Sequence, residues 1–347
     1  MGGRLRRVGI VNGAASLGFV PYHQLDGQPN VVVDGSPTDG TELCLTHWPA
    51  IDSPIRFAAD LSAQMAFAYL DAFDLHDRAS AVSNNHFDQD GLVSLYALIR
   101  PEAALERRAM LIDVARAGDF ATFDDRNAAR VSMTLAAYAT PGRSPLGDLP
   151  SDYAEMTAQL YVEMLGRIDE LCDHPERYHD LWAEEDATLD ASEAALGSGQ
   201  ATLEEVPDID LAVITVPKGG PCAGGHRFGG QWASGLHPMA IYNATDRFSV
   251  LVIREQHYDF TYRYESWVQY RSRRPRPRRD LAALVERLND AEPSPGRWGA
   301  DPVSVLTPTL QLRGADQSAI SPAAFREILE HHLRHAPPAW NPYPDQE

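Results

Sequence analysis

The 347-residue chain carries 30 Lys+Arg against 49 Asp+Glu, a formal charge of −19, and 44% of its residues are apolar. The apolar share is enough for ordinary hydrophobic cores and excludes wholesale disorder, while the length suits roughly two domains of ~100–200 residues. A balance this acidic argues against a general nucleic-acid or membrane-surface binder, which needs a dominant basic face, and no apolar stretch approaches the ~18–20 residues that span a bilayer. At the N-terminus, arginines precede a mildly apolar run that Gly9, Asn12, Gly13 and Gly18 dilute too far for a signal peptide, so a cytoplasmic location is expected. Cys44, Cys172 and Cys222 are odd in number and widely spaced, which reads as idle thiols in a reducing compartment. Lys218 is the single lysine, so nearly every cationic group is an arginine fork suited to carboxylate or phosphate.

In chain order, short apolar runs at 8–11, 31–34, 43–46 and 81–84 alternate with helical patterns at 54–73, 90–99, 101–117 and 124–139. Strands feeding amphipathic helices predict an α/β domain over 1–200 with a mainly parallel sheet and ligands at the carboxyl ends of its strands. Its last part, 150–197, is an acidic helical insertion: Asp148 to Asp210 holds eighteen acidic residues against Arg167 and Arg177. Tyr153, Met156, Leu160, Met164, Leu165, Ile168 and Leu171 recur there at helical spacing, and a second helix over 176–196 stops at Gly-Ser-Gly. The acidic residues read as a solvated face. Beyond 200 the texture changes. LAVITVP, PMAIYNA, FSVLVI and YDFTYRYESWVQY read as strands, followed by helices over 280–289 and 322–333 with a strand at 303–306 between them. This predicts a smaller α+β domain over 201–347. The fold class expected is therefore two-domain α/β.

The most informative segment is Val82-Ser-Asn-Asn-His-Phe-Asp-Gln-Asp-Gly-Leu-Val-Ser-Leu95, an apolar strand running into a polar turn and then a helix. Alternating residues of an extended tip share a side, so His86, Asp88 and Asp90 can present an imidazole and two carboxylates to one ion or ion pair. Gly91 lets the chain turn, and the helix start adds a partial positive charge. Mixed nitrogen and oxygen donors suit Mn²⁺ better than Ca²⁺. An EF-hand does not fit, because counting from His86 places Ala97 where the closing glutamate belongs. The plainer alternative is a polar turn in which Asp88 or Asp90 caps the helix and His86 is incidental.

His86-x-Asp88-x-Asp90-Gly91-Leu92, with Ser94 in the helix, resembles the first motif of the DHH phosphoesterases. The resemblance implies a pair of Mn²⁺ (or Mg²⁺) ions that activate water against a phosphoester or phosphoanhydride. The family's second motif, a lone aspartate, is best matched by Asp119 in Ala-Arg-Ala-Gly-Asp-Phe, with Asp113 as the alternative. The Asp-His-His tripeptide does not occur downstream. Upstream, Leu43-Cys-Leu-Thr-His-Trp-Pro49 runs into His47 ahead of a helix similar to the one following that tripeptide, which suggests a rearranged order with His47 as the surviving ligand.

In the second domain, six arginines lie between 271 and 279. This segment is similar to the Arg-Ser element with which the family's following domain grips substrate; Arg271 and Arg273 are the better candidates, and Arg276, Arg278 and Arg279 are expected to face solvent or the acidic helices. Gly225 and His226, within a glycine-rich stretch, form a Gly-Gly-His that is similar to the family's Gly-Gly-Gly-His turn but lies earlier in the domain. Glycine-rich backbone and arginine forks both suit phosphate.

The expectation is a metal-dependent hydrolase of a small phosphoester or short oligonucleotide. Asp88 and Asp90 are catalytic, His86, Asp88, Asp90, Asp119 and His47 are metal ligands, and Arg271, Arg273, Gly225 and His226 bind substrate. No long nucleic acid or membrane is expected as a partner, and a homo-oligomer is left open. The alternative is a degenerate relative that binds a nucleotide or metal without turnover; a third reading is a structural protein that uses its acidic face.

Overall fold

The computed structural model describes residues 17–72, 79–219 and 236–343. The expected strand at 8–11, Cys222, Gly225 and His226 lie outside those residues. Two sheets organise the rest. The first uses β1 (Gly18–Phe19), β2 (Asn30–Val33), β3 (Thr41–Leu45) and β4 (Ala81–Ser83), all parallel, in the order β1-β4-β2-β3. β2 reads Asn-Val-Val-Val and is buried along its whole length, as a parallel strand covered on both faces must be.

The helices around this sheet are α1 (Ser62–Leu70), α2 (Gln89–Ile99), α3 (Pro101–Glu106), α4 (Arg108–Asp119) and α5 (Arg126–Tyr138). The helix expected over 54–73 begins at Ser62, because the Asp90 carboxylate accepts the Ser62 and Ala63 N–H groups there and fixes the first turn. The helix expected over 101–117 is broken at Arg107, which leaves helical geometry and ties its guanidinium to Asp173. The acidic insertion forms α6 (Tyr153–Leu165), α7 (Ile168–Asp173) and α8 (His179–Gly197), with Asp152 capping α6. Its face is not solvated throughout: Asp186 is 5% exposed and binds Arg126 at 2.6 Å and Arg130 at 3.0 Å.

The second sheet contains β5 (Thr202–Val206), β6 (Leu211–Val216), β7 (Ser249–Arg254), β8 (His257–Tyr262), β10 (Arg297–Ala300) and β11 (Thr309–Arg313), in the order β10-β11-β8-β7-β6-β5. Only β6 and β7 pair parallel, joined by a crossover that includes α9 (Pro238–Ala244). α10 (Ala282–Ala291) and α11 (Pro322–His335) pack on this sheet through Leu284, Leu288, Phe325 and Leu329, while β9 (Arg278–Arg279) and β12 (Pro338–Trp340) form a separate ribbon. The molecule is thus α/β, with a parallel sheet drawn from residues 18–83 and a mixed sheet drawn from 202–313.

Further expectations fail here. PMAIYNA is a helix, not a strand: Pro238 presets the first helical position, and His237 Nδ1 accepts the Met239 N–H at 3.2 Å. Residues 303–306 form no strand, because the carbonyls of Val303, Val305 and Leu306 accept from the Arg278 guanidinium instead of a ladder. Arg278 itself is fully buried rather than solvent-facing, and its surroundings push its pKa down to about 9 through desolvation. Among the described residues, no helix is long and apolar enough to cross a membrane.

Candidate metal centre

Six side chains converge at the carboxyl ends of β2, β3 and β4, where open parallel sheets place their ligands. Asp34 directly follows β2 in the left-handed region (φ 45°), a strained geometry for a non-glycine residue. His47 lies two residues beyond β3. His86 and Asp88 lie on the turn after β4, Asp90 in the first turn of α2, and Asp119 at the last residue of α4.

The donors fall into two groups. Asp34, His47, Asp90 and Asp119 form one, and Asp34, His86 and Asp88 form the other; within each, one donor atom per residue lies within 4.8 Å of the rest. Asp34 belongs to both. Its Oδ1 lies 3.5 Å from His47 Nε2, and its Oδ2 lies 3.4 Å from His86 Nε2. His47 Nε2 also lies 3.5 Å from Asp119 Oδ2 and 4.0 Å from Asp90 Oδ2.

A second layer orients these donors. The Asp60 carbonyl accepts from His47 Nδ1 at 2.5 Å, which leaves Nε2 as the lone pair turned to the carboxylates. Asp90 is held by the α1 N-terminus, with Ser62 N at 2.8 Å and Ala63 N at 2.7 Å. Ser62 Oγ donates to Asp34 Oδ1 at 2.8 Å, and Asp88 Oδ1 accepts the Gly91 N–H at 2.8 Å, so Asp88 caps α2 while its other oxygen meets His86 Nε2 at 2.9 Å. Gly91 is required for space rather than for the turn: a Cβ there would come 2.3 Å from Asn84 Nδ2 and 2.5 Å from the Tyr161 hydroxyl. That hydroxyl, from the acidic insertion, donates to the His86 carbonyl at 2.5 Å.

Residues from the second sheet's side close the centre. The Tyr264 hydroxyl lies 3.4 Å from His47 Nε2, and Gln269 N donates to the His47 carbonyl at 2.8 Å. The Trp48 ring packs on His86 at 5.2 Å between centroids. Access is from the His86 and Asp88 side, whose side chains are 20% and 28% exposed.

The electrostatics call for cations. Burial, then the neighbouring Asp88 and Asp90 carboxylates, pushes the Asp34 pKa well up; burial and Asp88 lift Asp90 to about 7. Burial followed by Asp90, Asp88 and Asp34 raises Asp119 strongly. Burial lowers His47 to about 4, keeping it neutral and able to coordinate. Burial works against both charges of the His86–Asp88 pair, yet their mutual attraction prevails, raising the imidazole and lowering the carboxyl. Asp34 Oδ2 and Asp119 Oδ2 are buried with no hydrogen-bond partner. Buried carboxylate oxygens without donors, two imidazoles and four acids together fit a borderline divalent cation of the Mn²⁺ type.

Of the residues singled out by sequence, His47, His86, Asp88, Asp90 and Asp119 come together. Asp113 does not join them: it accepts from the Asp124 and Asp125 N–H groups and from Arg116. Arg271 donates to Gln269 and lines a cavity with Asp60 and Arg108. Arg273 binds Asp210 at 3.1 Å and lines a different cavity. Asp34 was missed, although an apolar β-branched run ending in Asp-Gly at a parallel strand's carboxyl end carried the signal. Tyr264 had no signal, since its role depends on a contact 217 residues away in sequence.

A family model described as a family of unknown function (DUF6687) matches residues 15–344. Comparison with curated proteins and with solved structures gave no match.

Proposed function

Because the chain belongs to the DUF6687 family, whose function is unknown, we propose its function from the site alone: a metal-dependent hydrolase of small phosphoesters, holding two Mn²⁺ or Mg²⁺ ions. The observation that carries this reading is the sharing of Asp34 between two donor groups, which gives a pair of cations a common carboxylate. Such ions, when bound, polarise phosphoryl oxygens and lower the pKa of water.

The chain's own residues do the rest. His47, locked in one tautomer by the Asp60 carbonyl, and Asp34, Asp90 and Asp119 would hold a buried ion; His86 and Asp88, with Asp34, would hold a more open one. Trp48 fixes the His86 ring, and Tyr264 closes the inner side of the centre against solvent. Arg271 and Arg108 line a cavity beside Asp60 that includes none of the six donors. Asp34 and His47, on neighbouring strands, take the place of the Asp-His-His tripeptide, so its absence does not thin the donor set. A net charge of −19 favours a small ester or short oligonucleotide over duplex DNA.

The test is hydrolysis of bis(p-nitrophenyl) phosphate by metal-stripped protein with added Mn²⁺. Asp88→Asn is expected to reduce turnover on the order of 100-fold or more, above the 10–100-fold seen for outer partners of a metal site, with the fold intact by circular dichroism. Mn²⁺ binding without turnover on any phosphoester offered would instead favour the binder without catalysis; unchanged turnover in Asp88→Asn would remove the motif from the chemistry.

A further inference from the structure

We propose that the two positions of the metal centre load in a fixed order. A first divalent cation settles between Asp34, His47, Asp90 and Asp119 and stays, and a second enters between Asp34, His86 and Asp88 and exchanges with solution, so the supply of free Mn²⁺ sets how much of the protein is complete. This order rests on the two-ion centre proposed above and adds a regulation of the same site.

The positions differ in what an ion must undo. At the inner one the donors already wait. His47 Nδ1 is committed to the Asp60 carbonyl, and Nε2 faces Asp34 Oδ1 and Asp119 Oδ2, each at 3.5 Å. Asp119 Oδ2 has no hydrogen-bond partner, and Asp90 is braced by the Ser62 and Ala63 N–H groups. At the outer position the donors satisfy each other: His86 Nε2 meets Asp88 Oδ2 at 2.9 Å, while Asp88 Oδ1 caps α2 through the Gly91 N–H. An ion has to part that pair before either side chain can coordinate. Four prearranged donors therefore compete with three, two of which are bound to one another.

Charge acts in the same direction. Three buried carboxylates around one imidazole concentrate negative charge that a divalent cation relieves. Once there, that cation opposes a second one sharing the Asp34 carboxylate, which lowers the affinity of the outer position.

Access fixes the sequence of entry and exit. The inner side chains are at most 5% exposed, and the Tyr264 hydroxyl, 3.4 Å from His47 Nε2, backs them. Solvent reaches the centre past His86 and Asp88, so an inner ion is trapped while the outer position is filled. Asp34 couples the two. Ser62 Oγ donates to its Oδ1 at 2.8 Å on the inner side, and its unpartnered Oδ2 lies 3.4 Å from His86 Nε2 on the outer side. An ion on Oδ1 holds the carboxylate with Oδ2 turned outward, and so completes the outer donor set.

The test titrates the full chain, stripped of metal by a chelator, with Mn²⁺, read by calorimetry and by electron paramagnetic resonance. Two phases of one ion each are expected, with affinities at least ~10-fold apart, and the spin-coupled signal of a Mn²⁺ pair is expected only in the second. Desalting should leave one ion per chain. His86→Gln should remove the second phase and keep the first, whereas Asp119→Asn should weaken the first at least ~10-fold; circular dichroism melts check that both variants fold. A single phase of two equivalent ions, a coupled signal from the first addition, one ion in total, or loss of the first phase in His86→Gln would each overturn the order. Two ordered phases without hydrolysis of any phosphoester would sink the hydrolase reading and leave the order standing. Turnover with both ions arriving together would do the reverse, and no Mn²⁺ binding at all would overturn both.

Discussion

Asp119 shows most directly what the cluster requires. Its carboxylate ends α4, one oxygen lacks any donor, and the nearest charged groups are other carboxylates and a neutral histidine. Without a cation, its ionised form is a buried like charge, whereas with one it is a ligand. Asp119→Asn should therefore change sign with metal: in metal-free protein at pH 8 it raises the melting temperature, and with saturating Mn²⁺ it lowers it. Loss of stability in both conditions would mean the acids serve packing alone. The same logic fixes the pH dependence. Asp34, Asp90 and Asp119 have folded pKa values above their unfolded values, so the folded metal-free chain binds more protons than the unfolded one between the two. Stability is then full below pH ~4 for these groups and falls as pH rises through about 7, the value for Asp90. Thermal melts from pH 4 to 8 in EDTA should show this decline, and Mn²⁺ should abolish it; proton release on Mn²⁺ addition should be measurable at pH 6.

Between elements, two contacts set the site. Asp90 on α2 is gripped by the first N–H groups of α1, so one carboxylate orients two helices and satisfies donors that no helix can satisfy internally. A helix pattern running from 54 concealed this start, since periodicity locates a face and not the partner that fixes its first turn. Arg278 is the other. Its guanidinium makes five hydrogen bonds, to Ser266 Oγ and to the carbonyls of Arg263, Val303, Val305 and Leu306, and so ties the 303–306 loop to the turn that carries Tyr264. Lysine has three donors, so Arg278→Lys leaves at least two of these acceptors unmet, at a cost of about 2 kcal/mol or more in a urea melt. The six arginines of 271–279 were indistinguishable as sequence; burial separated them, with Arg278 structural, Arg273 on Asp210 and Arg271 beside Asp60.

Across the whole molecule, the two halves meet over the metal centre. Asp60 accepts the Arg271 N–H at 2.6 Å and the Ser272 N–H at 2.8 Å while its carbonyl holds His47, and Val268 is buried in the core of the first half. A ligand of the folded centre is thus a ligand of the assembled molecule. Mn²⁺ at 100 times its dissociation constant should stabilise the chain by about 2.7 kcal/mol, read as a concentration-dependent melting shift that Asp34→Asn removes along with the shared carboxylate. Asp60→Asn keeps the carbonyl but removes the charge that holds the crossing segment, and should weaken Mn²⁺ binding about 10-fold, as an outer partner does.

Local chemistry was enough to expose three of the four parallel strands, the helices around them and His86, Asp88 and Asp90, while the family resemblance pointed to His47 and Asp119. An apolar run ending in a polar residue is a strand's carboxyl end, and H-x-D-x-D-G places alternate donors on one side of a tip. It was not enough to show that Asp34 joins the two donor groups, that PMAIYNA is a helix, or which arginine is buried. Those outcomes depend on what lies across space: the β2–β4 pairing that sets Asp34 beside His86, the buried surroundings of α9, and the carbonyls waiting around Arg278. A residue's type declares the bonds it can make, and only the folded neighbourhood supplies the partner and removes the competing water.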